Sequence, residues 1–198
     1  MNPPLLVHAC CGECAAAILE PLRRRSSRPV LFFYNPNIQP LLEFRRRAKS
    51  VQVLADAEHL DLLLDLRYDP KDWLGRVPWD RPERCEACYR LRLAETARVA
   101  AERGFEAFTT TLLVSVHQDH EAVARIGAEE AEARGLTFLY EDWRPLAERG
   151  PREAKRRNLY RQQYCGCLFS EQERFAPTRR HVYRGPGGGE ILHPEGDA

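Results

Sequence analysis

The segment Leu5-Leu-Val-His-Ala-Cys-Cys-Gly-Glu-Cys14 joins a short apolar run to three cysteines that lie within five residues. Leu5–Ala9 has the composition of a short buried β-strand, and Ala15–Arg25 has the composition of a helix. The cysteines therefore lie in the turn between a strand and a helix. In an open parallel α/β sheet, ligands bind at such turns, because they lie at the carboxyl edge of the strands.

The alternation of strand and helix continues along the chain. Pro29–Tyr34 and Leu62–Leu66 are predicted to be strands, and apolar residues at helical spacing predict a helix over Leu41–Glu58 between them. Two further strands are predicted at Ala107–Leu113 and Thr137–Tyr140. This order predicts the α/β class, with a parallel sheet of about five strands, right-handed crossovers and helices on both faces in three layers.

The remaining segments are predicted to be helices, one long loop and a tail. Asp69–Glu83 is rich in Pro, Gly, Trp and charge, which predicts a loop with one helical turn at Trp73. Further helices are predicted from Cys85 to Arg103, from Asp119 to Arg134, from about Arg152, and from Ser170 to Phe175. With no repeat and no linker, residues 1–175 are predicted to form one domain, followed by a flexible Gly/Pro-rich tail at 176–198.

The composition excludes several classes of protein. The chain has 198 residues, of which 43% are hydrophobic and 30% charged, as in an ordinary globular domain. No apolar run approaches the roughly 20 residues that span a bilayer, and no export signal is visible. We therefore expect a cytoplasmic protein without membrane contact. No glycine-rich loop for ATP or NAD(P) follows a strand, so electrons are expected from a separate donor protein.

All seven cysteines lie in three clusters, which are Cys10-Cys-Gly-Glu-Cys14, Cys85-Glu-Ala-Cys88 and Cys165-Gly-Cys167. Cysteines that serve only packing would be scattered, so clustering in a reducing compartment indicates metal or redox chemistry. A tetrahedral zinc site takes four ligands, so seven thiolates are too many for one such site. Four of them could hold a [4Fe–4S] cluster, and the other three could bind a second metal ion that keeps an open position. Free thiols of a redox switch are the alternative.

These motifs together resemble the QueH-type epoxyqueuosine reductases. The matching segments are His8–Cys14, Phe33–Ile38 with Glu43 and Arg46, Arg84–Leu93, Phe108–Leu113 with Ser115, Asp142 with Arg144, and Tyr160–Ser170. The resemblance covers residues 4 to 175. It implies a Rossmann-like fold of the HUP type, an iron–sulfur cluster beside a further metal ion, and tRNA as substrate. The implied reaction reduces the epoxide of epoxyqueuosine at the wobble position to give queuosine.

The resemblance also implies roles for the cysteines. Cys85, Cys88, Cys165 and Cys167 are assigned to a [4Fe–4S] cluster, and Cys10, Cys11 and Cys14 to one additional iron (or zinc) ion. The opposite partition stays open, because the adjacent Cys10 and Cys11 can each face a different metal. Some family members have Asp where this chain has Cys14. The lone ion is expected to act as a Lewis acid and the cluster to pass electrons singly.

Other candidates surround the cysteine turns. Tyr34, Glu43 and Asp142 are candidate proton donors or substrate contacts, and the candidate tRNA contacts are Asn35, Asn37, Arg46, Arg144 and Arg161. Each has a structural alternative, such as turn capping by the asparagines or an ion pair between Asp142 and Arg144. The basic groups at Arg45–Lys49 and Arg152–Arg161 fit phosphate contacts. Two other functions compete: a zinc-stabilised nucleic-acid-binding module without catalysis, and a thiol-based tRNA sulfurtransferase.

Overall fold

A fully parallel five-stranded sheet forms the centre of the computed structural model, which describes residues 4–26 and 28–178. Its strands are β1 (Leu5–His8), β2 (Pro29–Phe33), β3 (Asp61–Leu64), β4 (Ala107–Thr110) and β5 (Thr137–Phe138). They are arranged in the order β3-β2-β1-β4-β5. The entirely buried β1 pairs with β2 on one side and β4 on the other, so the strand order reverses at β1. This reversal is the usual ligand position in such folds.

Helices cover both faces of the sheet, which confirms the predicted three-layer α/β architecture. They are α1 (Gly12–Arg25), α2 (Leu41–Glu58), α3 (Pro70–Arg76), α4 (Arg84–Glu102), α5 (His120–Glu132), α6 (Arg149–Arg156) and α7 (Leu168–Phe175). Helices α1, α2 and α6 pack together, whereas α4 packs with α5 and against β1 and β4. No helix in the described ranges is both long and apolar enough to cross a membrane.

The segment after β3 differs from the predicted loop, because it contains the two-turn helix α3. Asp69 caps α3 by accepting hydrogen bonds from the backbone N–H groups of Lys71 and Asp72, and Pro70 occupies the first helical position. The fully buried Trp73 anchors the helix in a small apolar cluster with Val77. The helix thus extends beyond the single helical turn predicted at Trp73, because the cap and the buried aromatic residue stabilise a longer segment.

Strands β4 and β5 fall furthest short of their predicted lengths. β4 ends at Thr110, because the Thr110 hydroxyl oxygen accepts from the Leu112 N–H and begins a 3₁₀ turn over Thr111–Val114. β5 ends at Phe138. The next residue, Leu139, still donates its backbone N–H to the Phe108 carbonyl oxygen, but Tyr140 lies outside the sheet. The predicted tail, apart from residues 176–178, lies outside the described residues.

Gly12, the first residue of α1, allows α1 to approach α2 closely. A Cβ atom at this position would lie 2.5 Å from the Ser50 carbonyl oxygen of α2 and would also collide with the Ser50 hydroxyl. In contrast, a Cβ atom at the exposed Gly75 of α3 would meet nothing within 4 Å.

We predict that Gly12→Ala lowers the free energy of unfolding by about 1–3 kcal/mol, the usual cost of overpacking. Gly75→Ala is the matched control and should be neutral or stabilising by up to about 1 kcal/mol, because alanine favours helix. Urea denaturation of both variants in the same metal-free state measures the difference. Equal stabilities of the two variants would contradict the close helix contact.

Candidate metal centre

The three cysteine clusters meet at the carboxyl edge of the sheet. Cys10 and Cys11 lie in the turn after β1. Gln162 connects this turn to the third cluster. Its Nε2 donates to Cys14 Sγ (3.3 Å), and its Oε1 accepts from Arg47 (2.7 Å). Arg47 in turn donates to the Cys165 carbonyl oxygen (2.8 Å). The predicted convergence of the first and third clusters is therefore present in the fold.

The first cluster brings three sulfur atoms together. The Sγ atoms of Cys10, Cys11 and Cys14 all lie within 4.8 Å of one another, and those of Cys10 and Cys11 are 4.0 Å apart. Among the described residues, no other group of three possible ligand atoms is this close. Two sulfurs bound tetrahedrally to one ion at 2.3 Å are about 3.8 Å apart. The first cluster therefore suits a single metal ion.

Polar groups surround the first cluster and favour a thiolate at Cys10. The Thr111 hydroxyl donates to Cys10 Sγ (3.2 Å), and the Cys14 N–H donates to Cys11 Sγ (3.3 Å), so Cys11 caps α1. The hydrogen bonds from the Cys11 and Cys14 thiols lower the pKa of Cys10 well below its usual value. Burial raises the pKa of Cys11, and the hydrogen bond with Cys10 raises that of Cys14. The protonation of each of these three thiols therefore depends on the other two.

The second and third clusters meet beside α3. Cys88 and Cys167 pack together with Trp73 and Val77, whereas Cys85 at the beginning of α4 is exposed. Burial raises the pKa of Cys88 and that of Cys165, the latter to about 11. Charge at Cys167 acts on both of these thiols, and charge at Cys88 acts on Cys165. Cysteines from both clusters therefore line one region.

The turn that carries the third cluster is attached to the turn after β2. Gly166 has a φ of +137°, which favours glycine, and its carbonyl oxygen accepts from Gln39 N (2.8 Å). The Tyr164 hydroxyl donates to the Gln39 carbonyl oxygen (2.7 Å). Cys167 caps α7, since its sulfur accepts from the Ser170 N–H (3.4 Å). Cysteines therefore lie at the N-terminal ends of α1, α4 and α7.

Arg47 is a residue whose role the sequence analysis missed. The basic group at Arg45–Lys49 predicts phosphate contacts for Arg47, but the Arg47 side chain is fully buried. Its guanidinium donates to the Glu43 carboxylate (2.7 Å), to Gln162 and to the carbonyl oxygens of Tyr164 and Cys165. The sequence contains one signal of this burial. Arg47 is four residues from Glu43 and three residues from Phe44, and residues at these spacings share one helix face.

His8 is a structural residue at the end of β1. Its Nδ1 accepts from the Thr110 hydroxyl (2.8 Å), and its Nε2 donates to the Tyr34 carbonyl oxygen (3.1 Å). Burial, assisted by the positive charge of Arg92, lowers the pKa of His8 to about 4. The imidazole is therefore neutral at pH 7 and connects β1 to its two neighbouring strands.

The three candidate proton donors lie in different surroundings. Glu43 is buried and accepts from Arg47 and from the Tyr160 hydroxyl. The Tyr34 ring stacks on Phe32 at 6.1 Å, with the Arg67 guanidinium 6.0 Å from its centre. Asp142 pairs with Arg144 (2.6 Å), as the structural alternative expected, and this ion pair lowers the pKa of Asp142 to about 2. Their catalytic roles stay predictions.

The candidate tRNA contacts divide into buried and exposed residues. Asn35 and Asn37 are both 1% exposed, and Asn35 Nδ2 donates to the Ala9 carbonyl oxygen (2.9 Å), which joins the turns after β1 and β2. Arg46 and Arg161 are exposed, with Arg161 3.8 Å from the Glu13 carboxylate. Their tRNA contacts stay predictions. Among the aromatic residues, Tyr89 and Trp143 are buried, whereas Trp79 is 50% exposed and stacks on Phe169.

A cleft of about 620 Å³ lies between α2, α7 and the segment before the third cluster. Its lining includes Glu43, Arg46, Tyr160, Tyr164 and Phe175. The Arg46 guanidinium lies 5.8 Å from the Tyr160 ring centre, and Tyr164 and Phe175 meet edge to face at 6.3 Å. The cleft thus combines aromatic rings with one exposed cation, next to the backbone that carries Cys165.

The fold and site define a Rossmann-like α/β protein of the HUP class with a cysteine-lined centre at the carboxyl edge of its sheet. Among solved structures, the U34-tRNA thiolase NcsA from Methanococcus maripaludis, which contains a [4Fe–4S] cluster, has the same fold with a TM-score of 0.56 at 12% identity. The similarity covers 85% of this chain and 61% of NcsA, so the chain spans less than two thirds of that protein. This likeness supports the fold alone.

Sequence comparison identifies the family. The profile of the family described as epoxyqueuosine reductase QueH matches residues 5–173. The epoxyqueuosine reductase QueH of Dehalococcoides mccartyi is 34% identical over 175 residues, covering 88% of this chain and 96% of that protein. The one from Thermotoga maritima is also 34% identical, covering 86% and 91%. The chain belongs to the epoxyqueuosine reductase QueH family, whose members are oxidoreductases of tRNA modification.

We predict that Arg47→Met lowers the free energy of unfolding by about 3–5 kcal/mol, because it leaves the buried Glu43 carboxylate and two carbonyl oxygens without their donor. The exposed neighbour Arg46→Met is the matched control and should change stability by no more than about 0.5 kcal/mol. Chemical denaturation of the metal-free variants measures both values. Similar small losses for the two variants would mean that the hydrogen bonds of Arg47 do not hold this region together.

Proposed function

We propose that this protein reduces epoxyqueuosine to queuosine in tRNA at a metal centre held by its three cysteine clusters. The observation that carries the proposal is the meeting of these clusters at one edge of the sheet in a chain of the QueH family. Removal of the epoxide oxygen as water consumes two electrons and two protons. The electrons are proposed to come from a separate donor protein.

The residues present fit the proposed metals. Cys10, Cys11 and Cys14 have the sulfur spacing of ligands to one ion, iron or zinc. Cys85, Cys88, Cys165 and Cys167 are proposed to bind the [4Fe–4S] cluster. Each cysteine of such a cluster binds a different iron atom, so its ligands lie farther apart than those of one ion. The packing of Cys88 against Cys167 and the electrostatic influence of Cys88 on Cys165 are consistent with this partition.

When bound, the cluster supplies single electrons and the lone ion supplies a Lewis acid for the epoxide C–O bond. Glu43 and Tyr160 are proposed to hold a proton in the adjacent cleft. The Tyr160 hydroxyl donates to the Glu43 carboxylate, and burial together with this carboxylate raises the pKa of Tyr160. Its phenol is therefore protonated at neutral pH and available at Oη. Tyr34 and Asp142 remain proposed substrate contacts.

Binding of tRNA is proposed at the rim of the site. The exposed Arg46 lies over the Tyr160 ring, Arg161 is exposed within the Tyr160–Tyr164 segment, and Arg144 lies beyond β5. Arginine side chains at such positions suit phosphate groups, and exposed aromatic rings suit unpaired bases of an anticodon loop. Asn35 and Asn37, whose Oδ1 atoms have no hydrogen-bond partner, are proposed to face the substrate from the turn after β2.

Turnover of tRNA that carries epoxyqueuosine tests the proposal. The full-length protein, loaded with iron in the absence of oxygen, is mixed with this tRNA and a low-potential reductant, and the digested nucleosides are identified by mass spectrometry. We expect queuosine to appear with the loss of one oxygen atom. Cys11→Ser and Cys88→Ser should each lower the rate by more than about 100-fold, since even supporting residues of metal sites are worth 10–100-fold. The exposed Gly75→Ala should keep the parent rate.

The competing functions predict different products. A colourless protein with one zinc ion per chain that binds tRNA but leaves the epoxide intact would favour the nucleic-acid-binding module. A cysteine persulfide detected by mass spectrometry, with sulfur transferred to tRNA, would favour the sulfurtransferase. Either result would overturn the proposed reduction.

A further inference from the structure

Arg92 of α4 is a buried cation with few partners. Its side chain is 1% exposed, its Nε donates to the Cys88 carbonyl oxygen (3.2 Å), and its Nη2 has no hydrogen-bond partner. Within residues 4–26 and 28–178, Arg92 forms no salt bridge with a carboxylate. The equally buried Arg47 differs, because Glu43 neutralises it and three further oxygens accept its N–H groups.

The ionisable groups that the charge of Arg92 affects include cysteines from all three clusters. Its charge interacts with Cys88 of its own helix, with Cys165 before α7 and with Cys10 after β1. Tyr89 contributes only its ring, 5.7 Å from the guanidinium, and the neighbouring His8 is neutral. Arg92 therefore lies where the three cysteine clusters meet.

A guanidinium cannot escape burial by losing its proton, because its intrinsic pKa is too high. A buried charge without a counter-charge costs several kcal/mol of folding free energy. With the thiols protonated, no carboxylate among the described residues neutralises Arg92. Thiolates that bind a metal centre supply the missing negative charge.

We propose that Arg92 is a positioning residue of the metal centre: its buried charge compensates the metal-bound thiolates and favours the reduced state of the cluster. The inference rests on the proposed function, since it requires a thiolate-bound metal centre. Reduction adds negative charge, so a nearby cation stabilises the reduced form more than the oxidised form and raises the reduction potential. In the metal-free chain the same cation destabilises the fold.

A purely structural role predicts different behaviour. If Arg92 serves only to hold the Cys88 carbonyl oxygen at the beginning of α4, its loss should destabilise the metal-free and iron-loaded proteins alike. Charge compensation predicts opposite effects in the two forms. Removal of the charge should help the metal-free fold and harm the iron-loaded one.

The test compares Arg92→Met, which removes the charge and keeps much of the volume, with Arg92→Lys, which keeps the charge. Arg98→Met is the matched control, because Arg98 is an exposed arginine of the same helix paired with Glu95 and Glu102. Each full-length variant is prepared without oxygen, both metal-free and iron-loaded. Thermal unfolding, iron retention against a chelator, and the reduction potential followed by absorbance and electron paramagnetic resonance are measured.

We expect metal-free Arg92→Met to unfold at the same temperature as the parent or higher, and to lose iron at least about tenfold faster once loaded. Its cluster should be about tenfold harder to reduce, a shift of about 59 mV to lower potential for one electron. Arg92→Lys should recover most of this shift, and Arg98→Met should resemble the parent.

Two outcomes would overturn the inference. One is a lower unfolding temperature of Arg92→Met in both forms with an unchanged reduction potential, which would assign Arg92 to structure alone. The other is a potential shift shared by Arg98→Met, which would make it a general charge effect. Failure of the proposed function is recognised separately, because the parent protein itself would then bind no iron–sulfur cluster.

Discussion

The site depends on the hydrogen bonds of Arg47, a buried arginine of α2 that connects three parts of the chain. Its partners are Glu43 on the same helix, Gln162, and the backbone before the third cysteine cluster. Gln162 then reaches Cys14. The segment over 160–167 has little regular structure, and these bonds connect it to the turn after β1, whereas Gln39 connects it to the turn after β2. The buried cation therefore helps to bring the distant third cysteine cluster to the sheet edge.

Charge burial explains the chemistry of this region. Buried ion pairs stabilise proteins weakly because desolvation offsets their attraction, but loss of one partner is costly. Arg47 has its full set of partners and therefore fixes geometry. Arg92 lacks a carboxylate among the described residues and faces thiols instead, which is the arrangement expected next to a group that arrives with negative charge. Arg47 and Arg92 are similarly buried, but Arg47 fixes the geometry of the site, whereas Arg92 is proposed to balance the charge of the metal centre.

The sequence predicted the sheet and the cysteine turns well, because both depend on local patterns. Strand β1 is a continuous apolar run, and the turn after β1 follows from strand-to-helix alternation. The sequence did not predict the burial of Arg47 and Arg92, because a buried arginine and an exposed one look the same until tertiary partners are known. The sequence predicted only one helical turn of α3, at Trp73, since the stability of this helix comes from the packing of Trp73 with Cys88 and Cys167, which are distant in sequence. The family resemblance supplied the reaction, which the fold alone does not specify.

The central claim is that cysteines from three distant turns bind one metal centre. Iron content and Mössbauer spectra of the anaerobic full-length protein, compared among single serine variants from each turn (Cys11, Cys88 and Cys165), test it most directly. The account predicts a spectrum with cluster iron and a separate single-iron component, and a change in this spectrum for every one of the three variants. A parent-like spectrum and iron content in any one variant would show that its turn takes no part, and would contradict the account.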